Sequence, residues 1–180
     1  MATFEEVVDT IKSETLPTPE ERERLNQAVE KLKSISQEAT KSLPFETSVL
    51  HLGSTSRNTW LREDIDIDIF IQFPSSVSKE DLETYGLKAG HKILENGHEE
   101  YADHPYVKGK FEEFNVDIVP CYSINSSKDL ISAVDRTPLH GVYLSNHITD
   151  ELTDEIRVFK KFLKSCGIYG SDLKTQGVSG

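Results

Sequence analysis

The sequence predicts an α/β (α+β) domain: a small mixed sheet bearing carboxylates, with helices packed on one side. Three observations carry this expectation. The run Asp64-Ile65-Asp66-Ile67-Asp68-Ile69 alternates with period two, as a half-buried strand does. A second strand-like run, Phe114 to Pro120, holds one aspartate, Asp117, among apolar neighbours. Two segments open on helix-start signals, Thr18-Pro19-Glu20-Glu21 and Ser78 with Asp81, and continue with apolar residues at helical spacing.

Taken in order, Phe4 to Lys12 reads as a short amphipathic helix that Leu16-Pro17 breaks. Thr18 as N-cap and Pro19 in the first turn start a long helix to about Ser42, with Leu25, Val29, Leu32, Ile35 and Ala39 inward. Ser48 to Leu52 reads as a buried strand that runs into the turn Gly53-Ser54. A strand feeding a glycine turn and a short helix points backbone N–H groups beyond the strand end, where an anion would be held. Ser54 adds a hydroxyl, and Arg57 reaches a phosphate from the first turn of that helix. Trp60 and Leu61 are expected to anchor the turn in the core. The short connection to the aspartate strand lets the turn and the carboxylates face each other.

In the alternating strand, three aspartates would share one face. Like charges so placed repel, and a cation resolves the conflict. Mg²⁺ suits hard oxygen donors and shares its sphere with substrate phosphates. The other reading is a solvent-facing edge strand whose charges deter aggregation. Asp117, alone in an apolar strand, needs either a metal or an ion pair, with Arg57 or Arg136 as partners. Were its strand to lie beside Asp66 and Asp68, three carboxylates could hold two Mg²⁺ ions.

Ser78 caps the next helix, with Leu82, Tyr85, Ala89, Ile93 and Leu94 inward and Asn96-Gly97 as its stop. His98 to Phe111 reads as a β meander with a turn at Lys108-Gly109-Lys110; His91 and His104 are read as structural. Thr137-Pro138 starts another helix. Thr149 or Asp150 starts the last, with Leu152, Ile156, Phe159, Phe162 and Leu163 inward and Gly167 to Gly170 ending it. Lys160 and Lys161 fall on different faces; one points at nucleotide phosphates, or both are solvated.

Composition bounds the function. At 180 residues the chain is one domain with short additions. No apolar run approaches membrane-spanning length, Met1 to Thr10 does not resemble a signal peptide, and Cys121 and Cys166 form neither a disulfide framework nor a zinc site. A cytoplasmic protein is expected, without membrane partners. The net charge of -11 opposes a stand-alone nucleic-acid binder, which would carry a basic face.

The ordered series Gly53-Ser54-x-x-Arg57-Asn58-Thr59-Trp60-Leu61, Asp66-x-Asp68 and Val116 to Tyr122 resembles the polymerase-β nucleotidyltransferase superfamily. More narrowly the chain is similar to the archaeal-type (class I) CCA-adding enzymes, the tRNA nucleotidyltransferases. The likeness continues through Tyr101 to Val107, Ser132 to His140 and Gly167 to Gly170, and so covers most of the chain. It implies a polymerase-β-like nucleotidyltransferase domain that transfers CMP and AMP from CTP and ATP to the 3′ end of tRNA with two Mg²⁺ ions. By the same resemblance Asp66, Asp68 and Asp117 are the metal-binding carboxylates. Ser54 and Arg57 contact the triphosphate; Thr137, His140, Lys160 and Tyr169 lie near the nucleotide's sugar and phosphates. Close relatives often carry glutamate where Asp66 stands; Asp64 is an extra carboxylate with no assigned role. The family's enzymes run on into domains that hold the tRNA, and the resemblance allows a homodimer of the full-length enzyme. The expected division is therefore 1–150 as catalytic head and 151–180 as the C-terminal helix and the start of a linker to a central domain. Other members of the superfamily (poly(A) polymerase-like, oligoadenylate synthetase-like or small toxin–antitoxin types) and a non-catalytic nucleotide-binding module are the competing readings.

Overall fold

The structure is a computed structural model and describes residues 3–170. The polar stretch 171–180, part of the expected linker, lies outside the described residues. Helices α1 (Phe4–Thr15) and α2 (Pro19–Thr40) come first. Both open on a complete capping box, Thr3 with Glu6 and Thr18 with Glu21, so two otherwise orphaned N–H groups are satisfied at each start. The buried line of α2 is Leu25, Ala28, Val29, Leu32, Ser36 and Ala39. Ile35, expected inward, is exposed, because a straight 3.6-residue period carries position 36, not 35, onto the core face.

Five strands follow: β1 (Ser48–Leu52), β2 (Asp66–Pro74), β3 (His98–Tyr101), β4 (Pro105–Phe111) and β5 (Phe114–Ser123). They form one mixed sheet in the order β1-β2-β5-β4-β3. Only β2 and β5 run parallel, joined by a crossover through α4 (Lys79–Ile93), β3 and β4. β1 is an edge strand and mostly half-buried, not the buried strand its composition suggested. Its apolar residues pack on one neighbour instead of two.

Helices α2 and α4 cover one face of the sheet. Leu32 and Leu82 meet Ile67, Ile69, Ile71, Val107, Val116 and Ile118 there, in one continuous core. Gly86 and Gly90 let α4 lie against Pro120 and Val107, where a β-carbon would come within 2.6 and 2.5 Å of side-chain atoms. Ser78 caps α4 by accepting from the N–H of Asp81, but the Asp81 carboxylate takes the Ser78 hydroxyl and not the cap N–H, so the expected reciprocal box is half made. The other sheet face carries the carboxylates and a small apolar cluster, Leu52, Phe70 and Cys121, against which Gly141 of α5 (Arg136–Ser145) approaches.

Several local readings change. Lys108-Gly109-Lys110 lies inside β4, and the reversal falls at Glu112 with φ of 53°. α5 begins at Arg136, before Thr137, with Asp135 at the cap position but using its carboxylate elsewhere. The face of α6 (Asp150–Ser165) is turned from that expected: Leu163 is buried and Ile156 half-buried as expected, but the rest of the stripe is not. Leu152, Phe159 and Phe162 are exposed, while Thr153, Arg157, Lys160 and Leu163 are buried. Among the described residues no helix is long and apolar enough to cross a membrane.

Candidate active site

The parallel pairing of β2 with β5 sets Asp68 directly beside Asp117, and Asp66 beside Asn115. Period-two alternation sends Ile67, Ile69, Val116 and Ile118 into the core and leaves Asp66, Asp68 and Asp117 on the opposite face. Asp64 does not join them. It sits in the turn before β2, bridged to Leu61, and its carboxylate takes an ion pair from Lys164 at 2.5 Å.

β1 runs antiparallel to β2, so its last residue, Leu52, lies opposite Asp68. Gly53 follows with φ of +77° and opens the four-residue turn α3 (Gly53–Ser56). Its backbone is pressed so closely on Asp68 that a β-carbon at 53 would lie 1.7 Å from Oδ2. No side chain caps α3. Ser54 is half-buried in that turn, and Arg57 follows at its C-terminal end, not in the first turn as expected.

The segment after α3 is held from α6. Buried Arg157 donates from Nε to the Trp60 carbonyl at 3.1 Å, and from its Nη2 to the Asn58 carbonyl and to Asn58 Oδ1, the latter at 2.7 Å. Arg22 of α2 reaches the same Asn58 Oδ1. Asn58 holds φ of 54°, an uncommon backbone state that this clamp fixes. Lys160 Nζ donates to the Thr59 carbonyl at 3.2 Å. Burial, with Arg57 and Arg157 nearby, pulls the Lys160 ammonium down to about 8.

Arg57, Lys160 and Tyr169 line one cavity of about 240 Å³, walled on its apolar side by Leu144, Ile156 and Phe159. Arg57 lies in the field of Asp68, which joins this cavity electrostatically to the carboxylates. Thr137 and His140 are not among the residues lining it. They stand on α5, half-buried and exposed respectively, beside β1.

The carboxylates bear the cost of crowding. Burial, then the charges of Asp117 and Asp66, push Asp68 up to about 7. Burial also raises Asp117, against the opposing pull of Lys108. Lys108 is the partner that sequence reading missed; neither Arg57 nor Arg136 pairs with Asp117. Its Nζ lies 3.3 Å from Asp117 Oδ1 and 3.4 Å from Oδ2. Only the second contact has hydrogen-bonding orientation, and Oδ1 stays buried without a hydrogen-bond partner. The signal available was the alternation Tyr106, Lys108, Lys110, which the Lys-Gly-Lys turn reading hid. Asp135 was also missed: wholly buried, it accepts from the N–H groups of Tyr122, Ile131 and Ser132, tying the loop after β5 to that strand.

Among the described residues no three His, Cys, Asp or Glu side chains already stand as a metal cage. The donors nevertheless fit Mg²⁺. They are all oxygen, mutually repelling and partly orphaned, and Mg²⁺ takes few carboxylates and completes its sphere with water and substrate phosphates.

The chain belongs to the nucleotidyltransferase domain family, which matches residues 19–140. Residues 154–180 match a second family, described as "tRNA nucleotidyltransferase, second domain". The CCA-adding enzyme of Halorubrum lacusprofundi is 47% identical over 180 residues, covering 100% of this chain and 39% of that protein. That of Methanocaldococcus jannaschii is 46% identical, covering 99% and 41%. The chain thus spans about 40% of the length of these curated relatives. Among solved structures, the Cid1 poly(U) polymerase with Mg 3′-dATP bound aligns with a TM-score of 0.65 at 16% identity, over 98% of this chain and 51% of its own. CdnC of E. coli MS115-1 with ATP aligns at 0.60 and 16% identity, over 88% and 57%. These two likenesses concern the fold.

Proposed function

We propose that this chain is the catalytic head of a CCA-adding tRNA nucleotidyltransferase, with 1–150 as the head and 151–180 leading toward a tRNA-holding part. The observation that carries this reading is Asp68 paired with Asp117 across β2 and β5, with Gly53 closed down on Asp68. Sequence identity near 47% to enzymes named for CCA addition supports the choice of tRNA as acceptor.

In this reading Asp66, Asp68 and Asp117 would hold two Mg²⁺ ions, which would supply charge neutralisation for the reacting phosphate. The protein's own groups do the rest. Ser54 and the backbone of α3 receive the triphosphate of CTP or ATP. Arg57, beside both the cavity and Asp68, stabilises the negative charge that shifts onto the leaving group. Lys160 and Tyr169 line the nucleotide's place, and Lys160 adds positive potential while fixing Thr59. Thr137 and His140 approach the sugar and phosphates from α5. The tRNA 3′-hydroxyl oxygen bonds to the α-phosphorus, the bond to the bridging oxygen breaks in line, and pyrophosphate departs. Asp117 would help take the hydroxyl proton, or metal activation of the hydroxyl would suffice. Positioning and charge stabilisation supply most of the rate.

The test is incorporation of labelled CTP and ATP into tRNA lacking its terminal CCA, with Mg²⁺. Addition by this chain that disappears in Asp66→Ala and Asp117→Ala is the expected result. Metal-dependent nucleotide binding without addition, weakened in both variants, would assign catalysis to the longer protein. No addition and no metal-dependent binding would refute the reading.

A further inference from the structure

We propose that Lys108 is a tethered counter-cation, which neutralises Asp117 until a divalent metal ion displaces it. The proposal rests on the metal-dependent reading above and extends it to how the site is kept before metal arrives.

The register of β4 against β5 puts Lys108 directly opposite Asp117. Backbone pairing fixes its Cα, while four methylenes leave the ammonium free to swing. The contact is close but loose. At 3.3 and 3.4 Å, with one oxygen outside hydrogen-bonding geometry, it is longer than a well-made charged hydrogen bond of about 2.8 Å. The Lys108 side chain is 32% exposed against 17% for Asp117, so the cation is the member that can leave. An ammonium is a point charge with three donors and does not lock on a carboxylate as a guanidinium fork would. Three crowded aspartates need some cation, and this one is built into the strand.

A second partner stands within reach. Glu100 on β3 is paired across the ladder with Tyr106, two residues from Lys108 and on the same sheet face. The Tyr106 hydroxyl already donates to Glu100 Oε2 at 2.7 Å and fixes it there. The charge of Glu100 also acts on Lys108. When metal takes the Asp117 oxygens, the ammonium moves toward Glu100, so the displaced cation keeps a carboxylate partner. The exchange holds metal affinity down in the absence of nucleotide, and couples metal entry to the arrival of triphosphate oxygens that complete its sphere.

Two measurements test this without turnover. Mn²⁺ binding, followed by the paramagnetic resonance of the free ion with no nucleotide present, compares the wild-type chain with Lys108→Met, Lys108→Arg and Asp117→Asn. Lys108→Met is expected to bind about tenfold tighter, on the scale of a lost repulsion between partly exposed charges, while Lys108→Arg, whose fork grips the carboxylate, binds more weakly than wild type. Lysine acylation read by mass spectrometry on the wild-type protein avoids any folding defect. Labelling of Lys108 should rise severalfold on adding Mg²⁺ and stay constant in Asp117→Asn. Equal or weaker Mn²⁺ binding in Lys108→Met, or Lys108 labelling indifferent to Mg²⁺, overturns the counter-cation while leaving an Asp117-dependent metal site intact. Mn²⁺ binding that does not depend on Asp117 overturns the metal reading itself, and this proposal with it.

Discussion

The carboxylate of Asp68 fills the space that any side chain at Gly53 would need: a β-carbon there would lie 1.7 Å from Oδ2. The glycine is also held at φ of +77°, where an L side chain is strained. Gly53→Ala therefore meets two obstacles. It should cost about 1–2 kcal/mol through the backbone alone. It should also lower nucleotide incorporation by about 10²-fold by pushing Asp68 from its place. Equilibrium unfolding and single-turnover assays separate the two. A stable variant with full activity would show that Asp68 needs no such confinement.

Asp68 sets a pH dependence. Its folded value is raised to about 7 from an ordinary 3.8, so the folded state binds this proton more tightly than the unfolded chain. Stability without metal is therefore greatest below about pH 4 as far as this group is concerned, and falls as pH rises toward 7. The full loss is at most about 4 kcal/mol. Denaturant melts from pH 4 to 8 in chelator should show the decline. Asp68→Asn should flatten it, and Mg²⁺ should restore stability at the upper end. A wild-type profile rising through this window would contradict the crowded-carboxylate account.

Arg157 is wholly buried and supplies donors to the carbonyls of Asn58 and Trp60. Arg157→Met keeps much of the volume but leaves those acceptors unpaired and Asn58 unsupported at its positive φ. Destabilisation of about 3–5 kcal/mol is expected. Arg57 and Thr59 belong to the same segment, so nucleotide affinity should fall even where the variant is folded. Unfolding midpoints and nucleotide titrations check the two effects. A cost below about 1 kcal/mol would mean that water replaces the guanidinium.

Asp135 accepts three backbone N–H groups in a dry place. Asp135→Ala strands all three donors and should cost roughly 3 kcal/mol or more. Hydrogen exchange should localise the loss to the Tyr122, Ile131 and Ser132 amides. Uniform loss of protection would instead point to collapse of the whole sheet.

These positions also mark where sequence stops being readable. The starts of α2 and α4 were legible because a cap and its partner lie three residues apart. Asp66, Asp68 and Asp117 were legible because an aspartate among isoleucines and valines has no cheap local explanation. Lys108 was not, since its partner is fixed by strand register, which no window of sequence contains. Most of the buried face of α6 was missed for a related reason. Its Arg157 and Lys160 face inward because carbonyls of Asn58, Trp60 and Thr59, about a hundred residues away, await donors. The apolar residues Phe159 and Phe162, 57% and 54% exposed and stacked on each other, were read as core by a rule that assumes polar groups face water.

The parallel register of β2 with β5 bears on how the chain comes to have a site at all. Asp68 and Asp117 meet only after α4, β3 and β4 have been laid down between them, so their pairing closes the longest loop of the sheet. Helices α2 and α4 can form from local signals in microseconds, whereas such a crossover waits on loop closure and falls in the slower range of mixed topologies. The side-by-side aspartates are thus absent from chains in which β2 and β5 have not yet paired. Repulsion among the aspartates is met only when the strands that must bear it are already in place.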